Sequence, residues 1–227
     1  MLNQQLHREK MFAIIQDVFH SPLKSKLALK WWTLCYFVHG LERFSTDIDF
    51  DILTNDETSI STMREILKKY GKIKDEYDKK FTVFFLLDYG ANHKNIKIEL
   101  SKKKSPYDTY ETINFYGTDI TAMTKDCITA NKFLALYRRW TNRDLFDIRF
   151  FLKNHFPIKK SIIEKESKLT YHKFLLNIKK EITTKFNSKT LLAEIGDLIT
   201  EKQKNFVKNS LVQETLGYLD LHLKFKD

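Results

Sequence analysis

The sequence predicts an α+β protein, with a mixed β-sheet domain over residues 1–123 followed by an all-helical half over residues 124–227. In the first half, apolar and polar residues alternate with period two, most clearly over 44–53 and 94–101, which is typical of strands with one buried face. From about Thr124 onward, apolar residues recur at helical spacing instead. Only 6 glycines and 3 prolines occur, while 42% of residues are hydrophobic, which favours long regular elements around a substantial core.

Breaks in these patterns give the predicted elements of the first half. Ser21-Pro22 ends the first helix, Gly40 ends the second, and Thr54 or Asp56 caps the third. The predicted helices cover residues 5–20, 23–38 and 57–70, and the alternative for the second is a helix entered through Lys30-Trp31-Trp32-Thr33. The predicted strands cover 44–53, 72–77, 80–88 and 94–101. Residues 107–118 are predicted to be irregular or a short strand.

One predicted strand carries a row of carboxylates. Asp47, Asp49 and Asp51 alternate with Ile48 and Phe50. Carboxylates two residues apart on a strand lie about 7 Å apart along it and repel each other when they are unpaired. A divalent cation between two of them removes this repulsion, and Mg²⁺ prefers such oxygen ligands together with phosphate. The alternative is an edge strand whose carboxylates are solvated.

Glu99 is a further candidate carboxylate on the strand over 94–101. If that strand lies beside the one that carries Asp47, three carboxylates converge. Two of them can then hold a metal ion, and the third can take a proton from an attacking hydroxyl. The alternative is an exposed residue paired with Lys97 or Lys102, the latter in a basic loop, Lys102-Lys103-Lys104, typical of a solvated turn.

Charged residues also stand out in the helical half. Lys132 and Arg139 share one face of a helix over 126–140 and are candidates to bind a triphosphate, with pairing to an acid as the alternative for Arg139. Asn142 is the predicted cap of the next helix, which is apolar nearly all round, so its charged residues need internal partners. We expect a buried ion pair between Arg143 and Asp147 of that helix.

The charge balance bears on the partners. The net charge is +10, with 19 basic and 17 acidic residues over 1–125 against 20 and 12 over 126–227. A basic half joined to an acidic strand suits a polyanionic substrate, although a lysine-rich protein without such a partner is the alternative. The two cysteines form no Cys/His cluster, residues 1–10 lack an apolar signal core, and no apolar run could span a membrane. These features predict a cytoplasmic protein without a membrane partner.

Four short motifs carry a family resemblance. They are Lys30-Trp31-Trp32-Thr33, the stretch from Gly40 to Asp49 containing Arg43-Phe44-Ser45, Lys132 to Arg139, and Arg143-Asp144-Leu145-Phe146-Asp147-Ile148. Together they resemble the AbiEii/MenT-type toxin nucleotidyltransferases of type IV toxin–antitoxin and abortive infection systems. The patterns of that family are roughly K-G-G-T, G-x-x-R-F-S-x-D-[IL]-D, K-x-x-A-x-x-x-R and R-D-L-[YF]-D-[LI]. The resemblance covers about residues 10–155.

The resemblance implies a DNA polymerase β-like nucleotidyltransferase fold whose helical half completes the active-site cleft. It implies transfer of NMP from an NTP to an RNA hydroxyl, with the 3′ end of tRNA as acceptor and a cognate antitoxin as partner. Asp47 and Asp49 would hold Mg²⁺, and Glu99 or Asp144 would assist proton removal. The expected nucleotide-binding residues are Thr33, Ser45, Lys132 and Arg139. Ser45 also corresponds to the position that some family antitoxins phosphorylate.

One departure concerns Trp31-Trp32, which stand where the family has Gly-Gly. Glycines allow close approach of the backbone to a phosphate and positive φ angles. Two indoles at this turn are expected to weaken NTP binding. The alternative function is therefore a catalytically impaired protein of the same fold that binds RNA or an antitoxin.

Overall fold

The computed structural model describes residues 3–54, 58–90, 94–103, 105–187 and 190–225. It divides into two compact units. We call the first, Met1–Gly40 with Phe44–Met123, the sheet unit, and the second, Leu41–Arg43 with Thr124–Asp227, the helical unit. Each unit is described by itself.

The described part of the sheet unit contains a seven-stranded mixed sheet, which confirms the predicted α+β class. The strands are β1 (Leu27–Leu29), β2 (Asp47–Ile52), β3 (Lys72–Asp78), β4 (Thr82–Asp88), β5 (Ile96–Ser101), β6 (Tyr110–Phe115) and β7 (Thr118–Met123). They lie in the order β3-β4-β5-β2-β1-β7-β6, with β2 parallel to β5 and antiparallel to β1. The helices of this unit are α1 (Gln4–Phe19), α2 (Trp31–Val38) and α3 (Thr58–Lys68).

The acidic strand β2 lies in the middle of this sheet, so the alternative of a solvated edge strand is wrong. Its apolar residues Ile48 and Phe50 are fully buried, and so is nearly all of Asp51 on the other face. A central strand has neighbours on both sides, and here it is covered on both faces. Asp49 and Asp51 therefore lie in a largely desolvated environment, where an unpaired charge is costly.

Other predictions for this unit need correction. Of the two predictions for residues 23–38, the single helix over the whole range is wrong, because a short 3₁₀ helix at Pro22–Ser25 and then β1 precede α2, while the helix entered through Lys30 to Thr33 is confirmed. All three residues of β1 are buried, and a short continuous apolar run does not distinguish a buried strand from a helix. The strand β7, which pairs with both β1 and β6, was not predicted. The predicted cap Asp56 lies outside the described residues.

The helical unit confirms the predicted all-helical half. Its helices are α4 (Lys125–Arg139), α5 (Asn142–Lys153), α6 (Lys160–Ser167), α7 (Tyr171–Lys185), α8 (Glu201–Asn209) and α9 (Leu211–Phe225). The nearly continuous apolar surface of α5 is buried, with α4 and α9 packed against it. The N-cap of α5 is Thr141 rather than the predicted Asn142, because the Thr141 hydroxyl accepts a hydrogen bond from the backbone N–H of Asp144. No helix in the described ranges is long and apolar enough to span a bilayer.

Candidate active site

Two parallel strands place the predicted carboxylates side by side. In the β2–β5 register, Asp49 lies directly opposite Glu99, and Asp47 lies opposite Lys97. Residues opposite each other, and residues two apart along a strand, point to the same face of a sheet. Asp47, Asp49 and Glu99 therefore share one face. Asp49 is 6% exposed, while Asp47 and Glu99 are half-buried.

The charge of Asp49 is poorly compensated in this arrangement. Burial first, and then the neighbouring carboxylates Asp47, Glu99 and Asp51, raise the pKa of Asp49 to about 7 against the opposing effect of Lys30. A carboxylate with this pKa is held in its charged form only at a cost in free energy. A cation bound to this face would remove that cost.

Lys30, the cation that opposes the rise in the pKa of Asp49, already forms an ion pair with another acid. Its Nζ lies 2.7 Å from Oδ1 of Asp51, and both side chains are buried. The Tyr110 hydroxyl donates a 3.0 Å hydrogen bond to the other oxygen of Asp51, and the backbone N–H of Lys30 donates to the Asp49 carbonyl at 3.0 Å. Lys30 thus neutralises Asp51 and fixes the backbone at Asp49. Lys30 stands in the Lys30-Trp31-Trp32-Thr33 motif, but nothing local in the sequence indicates its partner Asp51.

Hydrogen bonds also fix the start of β2. Thr33, a predicted nucleotide-binding residue, lies at this point, and its hydroxyl donates a hydrogen bond to the carbonyl of Asp47. Buried His7 contacts the carbonyl of Thr46 through Nε2 at 3.0 Å and the Tyr89 hydroxyl through Nδ1 at 2.8 Å.

A carbonyl only accepts hydrogen bonds, so Nε2 of His7 carries the proton, and burial lowers the pKa of His7 and favours the neutral ring. Nδ1 then accepts from Tyr89. No pattern in the sequence indicated His7. Ser45, a predicted nucleotide-binding residue, is buried just before β2.

The helical unit contains a second cluster of predicted site residues. Lys132 Nζ lies 2.6 Å from Asp144 and 2.7 Å from Asp147, and all three side chains are almost completely buried. Arg43 donates two hydrogen bonds of 2.7 Å to the carboxylate of Asp147. The predicted Arg143–Asp147 pair is therefore wrong, because Arg43 occupies that place and Arg143 is exposed.

Asp144 is surrounded by donors. Besides Lys132, it accepts hydrogen bonds from Arg139 Nε at 2.8 Å and from the Thr141 hydroxyl at 2.7 Å. Burial alone would raise the pKa of Asp144, but Lys132 and Arg139 more than offset burial and hold it at about 2. Arg139 is the half-exposed member of the cluster, with 53% of its side chain accessible. Triphosphate binding by Lys132 and Arg139 stays a prediction.

Solved structures resemble this chain along nearly its whole length. JHP933 from Helicobacter pylori is 20% identical, covers 98% of this chain and 96% of its own, and superposes with a TM-score of 0.62. The nucleotidyltransferase toxin MenT4 from Mycobacterium tuberculosis is 15% identical, covers 96% and 84%, and gives 0.58. At these identities the likeness establishes the fold. No curated protein sequence matches the chain significantly.

A family model settles the classification. The model described as nucleotidyl transferase AbiEii toxin, type IV TA system, matches residues 14–216. The chain belongs to the AbiEii family. This AbiEii protein is accordingly a nucleotidyltransferase of a toxin–antitoxin system, and family membership implies a nucleotide substrate and an antitoxin partner.

The position of the AbiEii Gly-Gly pair has an unusual backbone here. Trp31, the first residue of α2, has a φ of 55°, in the left-handed region that favours glycine. Its ring lies 4.1 Å from Lys30 Nζ and 5.8 Å from the ring of Trp32. The buried indole N–H of Trp31 has no hydrogen-bond partner among the described residues. Trp31 thus stands where the backbone has a glycine-like conformation, whereas Trp32 does not.

AbiEii enzymes as a family generally use a divalent metal, and the acidic face of the sheet can be tested for this. Among the described residues, no three Asp, Glu, His or Cys side chains lie close enough together to hold an ion by themselves. Mg²⁺ commonly takes only one or two carboxylates and completes its shell with water and substrate phosphates. The under-compensated Asp49, with Asp47 two residues away on the same face, fits that demand.

Proposed function

We propose that this protein transfers NMP from an NTP to a hydroxyl of RNA, with the 3′ end of tRNA as acceptor, in an Mg²⁺-dependent reaction in the cytoplasm. The observation that carries the proposal is the register that puts Asp49 opposite Glu99, with the pKa of Asp49 raised to about 7. Carboxylates held this way bind a divalent cation at little cost, since the ion replaces repulsion with attraction.

In this proposal, Asp47 and Asp49 hold the ion. Bound Mg²⁺ would stabilise charge on the triphosphate and orient its α-phosphate. The acceptor oxygen forms a bond to the α-phosphorus, the bond from that phosphorus to the bridging oxygen breaks, and pyrophosphate leaves with the bond electrons. Thr33 and His7, which fix the backbone from Thr46 to Asp47, keep the carboxylates in position.

The proton of the attacking hydroxyl needs an acceptor, and Glu99 suits this role better than Asp144. Glu99 is half-buried beside Asp49. Asp144 accepts hydrogen bonds from Lys132, Arg139 and Thr141, and its pKa is about 2. A base with so low a pKa and no free lone pair is a poor proton acceptor at neutral pH. We propose that Asp144 instead positions Lys132 and Arg139.

RNA as the acceptor and a protein antitoxin as the partner are supported by charge and by family membership. The chain carries a net charge of +10. Proteins that neutralise several phosphates gain affinity by releasing counterions from the nucleic acid. The antitoxin follows from the type IV toxin–antitoxin assignment.

The test is incubation of the protein with each α-labelled NTP, Mg²⁺ and total tRNA, followed by gel analysis of labelled RNA. We expect label in tRNA with the wild-type chain and none with Asp49→Asn. The exposed Asp119→Asn, which lies on β7, is the matched control and should label RNA like the wild type. Labelling that survives in Asp49→Asn would refute the metal-site assignment.

A second candidate function is binding of RNA or antitoxin without turnover, and the observation that favours it is Trp31 in a glycine-like conformation. The double variant Trp31→Gly/Trp32→Gly separates the two functions in the same assay. Transfer that appears only in the double variant would support the impaired protein, whereas equal transfer in both chains would support the enzyme.

A further inference from the structure

A row of side chains leads from the carboxylates to the edge of the sheet. The β3–β4, β4–β5 and β5–β2 registers place Tyr77, Phe84, Glu99 and Asp49 opposite one another in turn. These four residues share one face, because residues directly opposite each other on neighbouring strands do so. Strands are spaced by about 4.8 Å, so Phe84 is one strand and Tyr77 two strands, about 10 Å, from Glu99.

Aromatic rings and lysines are combined along this row. The rings of Tyr77 and Phe84 are stacked, with centroids 4.7 Å apart and planes inclined by 11°. Lys79 Nζ lies 4.3 Å from the centre of the Tyr77 ring, and Lys80 Nζ lies 5.3 Å from that of Phe81. We call this surface the aromatic–lysine strip and define it as Tyr77, Lys79, Lys80, Phe81 and Lys102. Phe84 is itself buried and contributes by stacking against the Tyr77 ring.

Phe81 and Lys102 form the outer end of the strip. The Phe81 side chain is 57% exposed in the turn between β3 and β4. The backbone N–H of Lys102 donates a 2.9 Å hydrogen bond to the Phe81 carbonyl, which joins this turn to the end of β5, and the Lys102 ammonium contacts Asp78. Lys104, the last residue of the predicted basic loop, lies outside the described residues.

The core of the sheet unit does not need Phe81. On the opposite face of β4 and β5, Val83, Phe85, Ile98 and Leu100 are fully buried and fill the interior. An exposed phenylalanine among lysines therefore leaves apolar surface in water without a packing benefit in the sheet unit itself. Proteins that bind single-stranded nucleic acids commonly combine exposed aromatic rings with cations, since every base has a face that can stack on a ring.

We propose that the aromatic–lysine strip binds a single-stranded nucleic acid segment, with bases stacked on Phe81 and Tyr77 and with phosphates at Lys79, Lys80 and Lys102. This inference rests on the proposed function in that the acceptor is RNA. The strip would then be the surface on which the unpaired acceptor end of that RNA lies. The row of opposing residues then leads from the bound bases to Glu99. The three lysines and the small continuous apolar area of the strip favour a nucleic acid over a protein partner.

The test is fluorescence anisotropy with a 5′-labelled, unstructured eight-nucleotide RNA in EDTA without NTP. Phe81→Ala should weaken binding by about 5- to 100-fold, the range for loss of one base–aromatic stack. The control Tyr116→Ala removes a ring that is 63% exposed in the β6–β7 turn, and it should bind like the wild type. Because Phe81 is exposed, its removal should leave the fold intact, which circular dichroism checks.

Salt dependence tests the lysines separately. Each phosphate contact on a single strand contributes about 0.7 to the slope of log affinity against log salt, so Lys79→Ala/Lys80→Ala should reduce that slope by about 1.4. The exposed Lys24→Ala should leave it unchanged. Base-free polyphosphate should compete at least 10-fold less well than RNA of equal charge.

Equal RNA affinity of Phe81→Ala and wild type would overturn the proposal, and so would equal competition by polyphosphate. Antitoxin binding lost in Phe81→Ala while RNA binding persists would overturn it in favour of a protein surface. Asp49→Asn should bind the RNA normally. Loss of transfer in that variant, or absence of transfer in the wild type, therefore leaves this test unaffected.

Discussion

Asp49 and Glu99 lie directly opposite each other on neighbouring parallel strands, and Asp49 is almost entirely buried there. The nearest counter-charge, Lys30, is bonded to Asp51. The two acids of this strand therefore differ electrostatically, because the charge of Asp51 is neutralised by Lys30 and the charge of Asp49 is not. This contrast makes the acidic face testable without any assumption about the substrate.

The first prediction compares two isosteric changes on β2. At pH 8, Asp49→Asn should raise the free energy of unfolding above that of the wild type by about 1 kcal/mol or more, because it removes an under-compensated buried charge. Asp51→Asn should destabilise it by about 3–5 kcal/mol, since it leaves the buried ammonium of Lys30 without its carboxylate. Urea unfolding without metal measures both, and equal losses in the two variants would contradict this distinction.

The second prediction concerns pH. The pKa of Asp49 is about 7 in the folded protein, against about 3.9 for an unperturbed Asp. Between these values the folded state binds more protons than the unfolded state, so the contribution of Asp49 to stability is present below about pH 4 and is lost as pH rises through 7. The loss amounts to at most about 4 kcal/mol.

The difference in unfolding free energy between the wild type and Asp49→Asn isolates this contribution from other titrating groups. It should change steadily between pH 4 and 7.5 and then level off. Millimolar Mg²⁺ at pH 8 should stabilise the wild type and leave Asp49→Asn unaffected. A difference in unfolding free energy that does not vary with pH would show that the pKa of Asp49 is not raised in the folded protein.

The third prediction concerns Trp31. A left-handed conformation costs a residue other than glycine about 1–2 kcal/mol, so Trp31→Gly should relieve strain that roughly offsets the lost ring contacts and the added chain entropy. Stability should stay within about 1 kcal/mol of the wild type. Trp32→Gly, inside α2 and without a positive φ, gains no such relief and should lose about 1 kcal/mol or more.

The same two variants report on nucleotide binding. Calorimetry with NTP and Mg²⁺ should show tighter binding in Trp31→Gly than in the wild type, and the tightest binding in the double variant. Identical affinities in all the chains would show that neither indole hinders the triphosphate, which would contradict the alternative of a catalytically impaired protein.

The fourth prediction separates the two cations of the helical cluster. Lys132→Met should destabilise the protein by about 3–5 kcal/mol, because Asp144 and Asp147 then share a buried site without the ammonium between them. Arg139→Ala should cost at most about 1 kcal/mol, since that side chain is half-exposed. Thermal unfolding measures both changes. A mild effect of Lys132→Met would contradict the structural importance of the buried triad.

Arg139→Ala is consequently the variant in which loss of NTP affinity can be attributed to binding rather than to unfolding. We expect weaker NTP binding with little change in melting temperature. Unchanged NTP affinity would exclude Arg139 from the nucleotide site.

The sequence by itself determined the class of the fold and the alternation that puts Asp47, Asp49 and Glu99 on strand faces. These are local properties, since period-two and helical patterns depend on neighbours along the chain. Its motifs also pointed to the AbiEii family, which the family model confirms. Lys30 and Arg43 stood in those motifs, but nothing local indicated their partners.

Only the tertiary structure decided which strands are neighbours and which charges meet. Strand order places β5 beside β2, which makes Glu99 the partner of Asp49. Arg43 pairs with Asp147 across 104 positions of sequence, although Arg143 is nearer in the chain. The burial of Asp49 likewise follows from the central position of β2 in the sheet. Such pairings depend on which surfaces pack together to exclude water, and that is a property of the whole folded unit rather than of any short stretch of sequence.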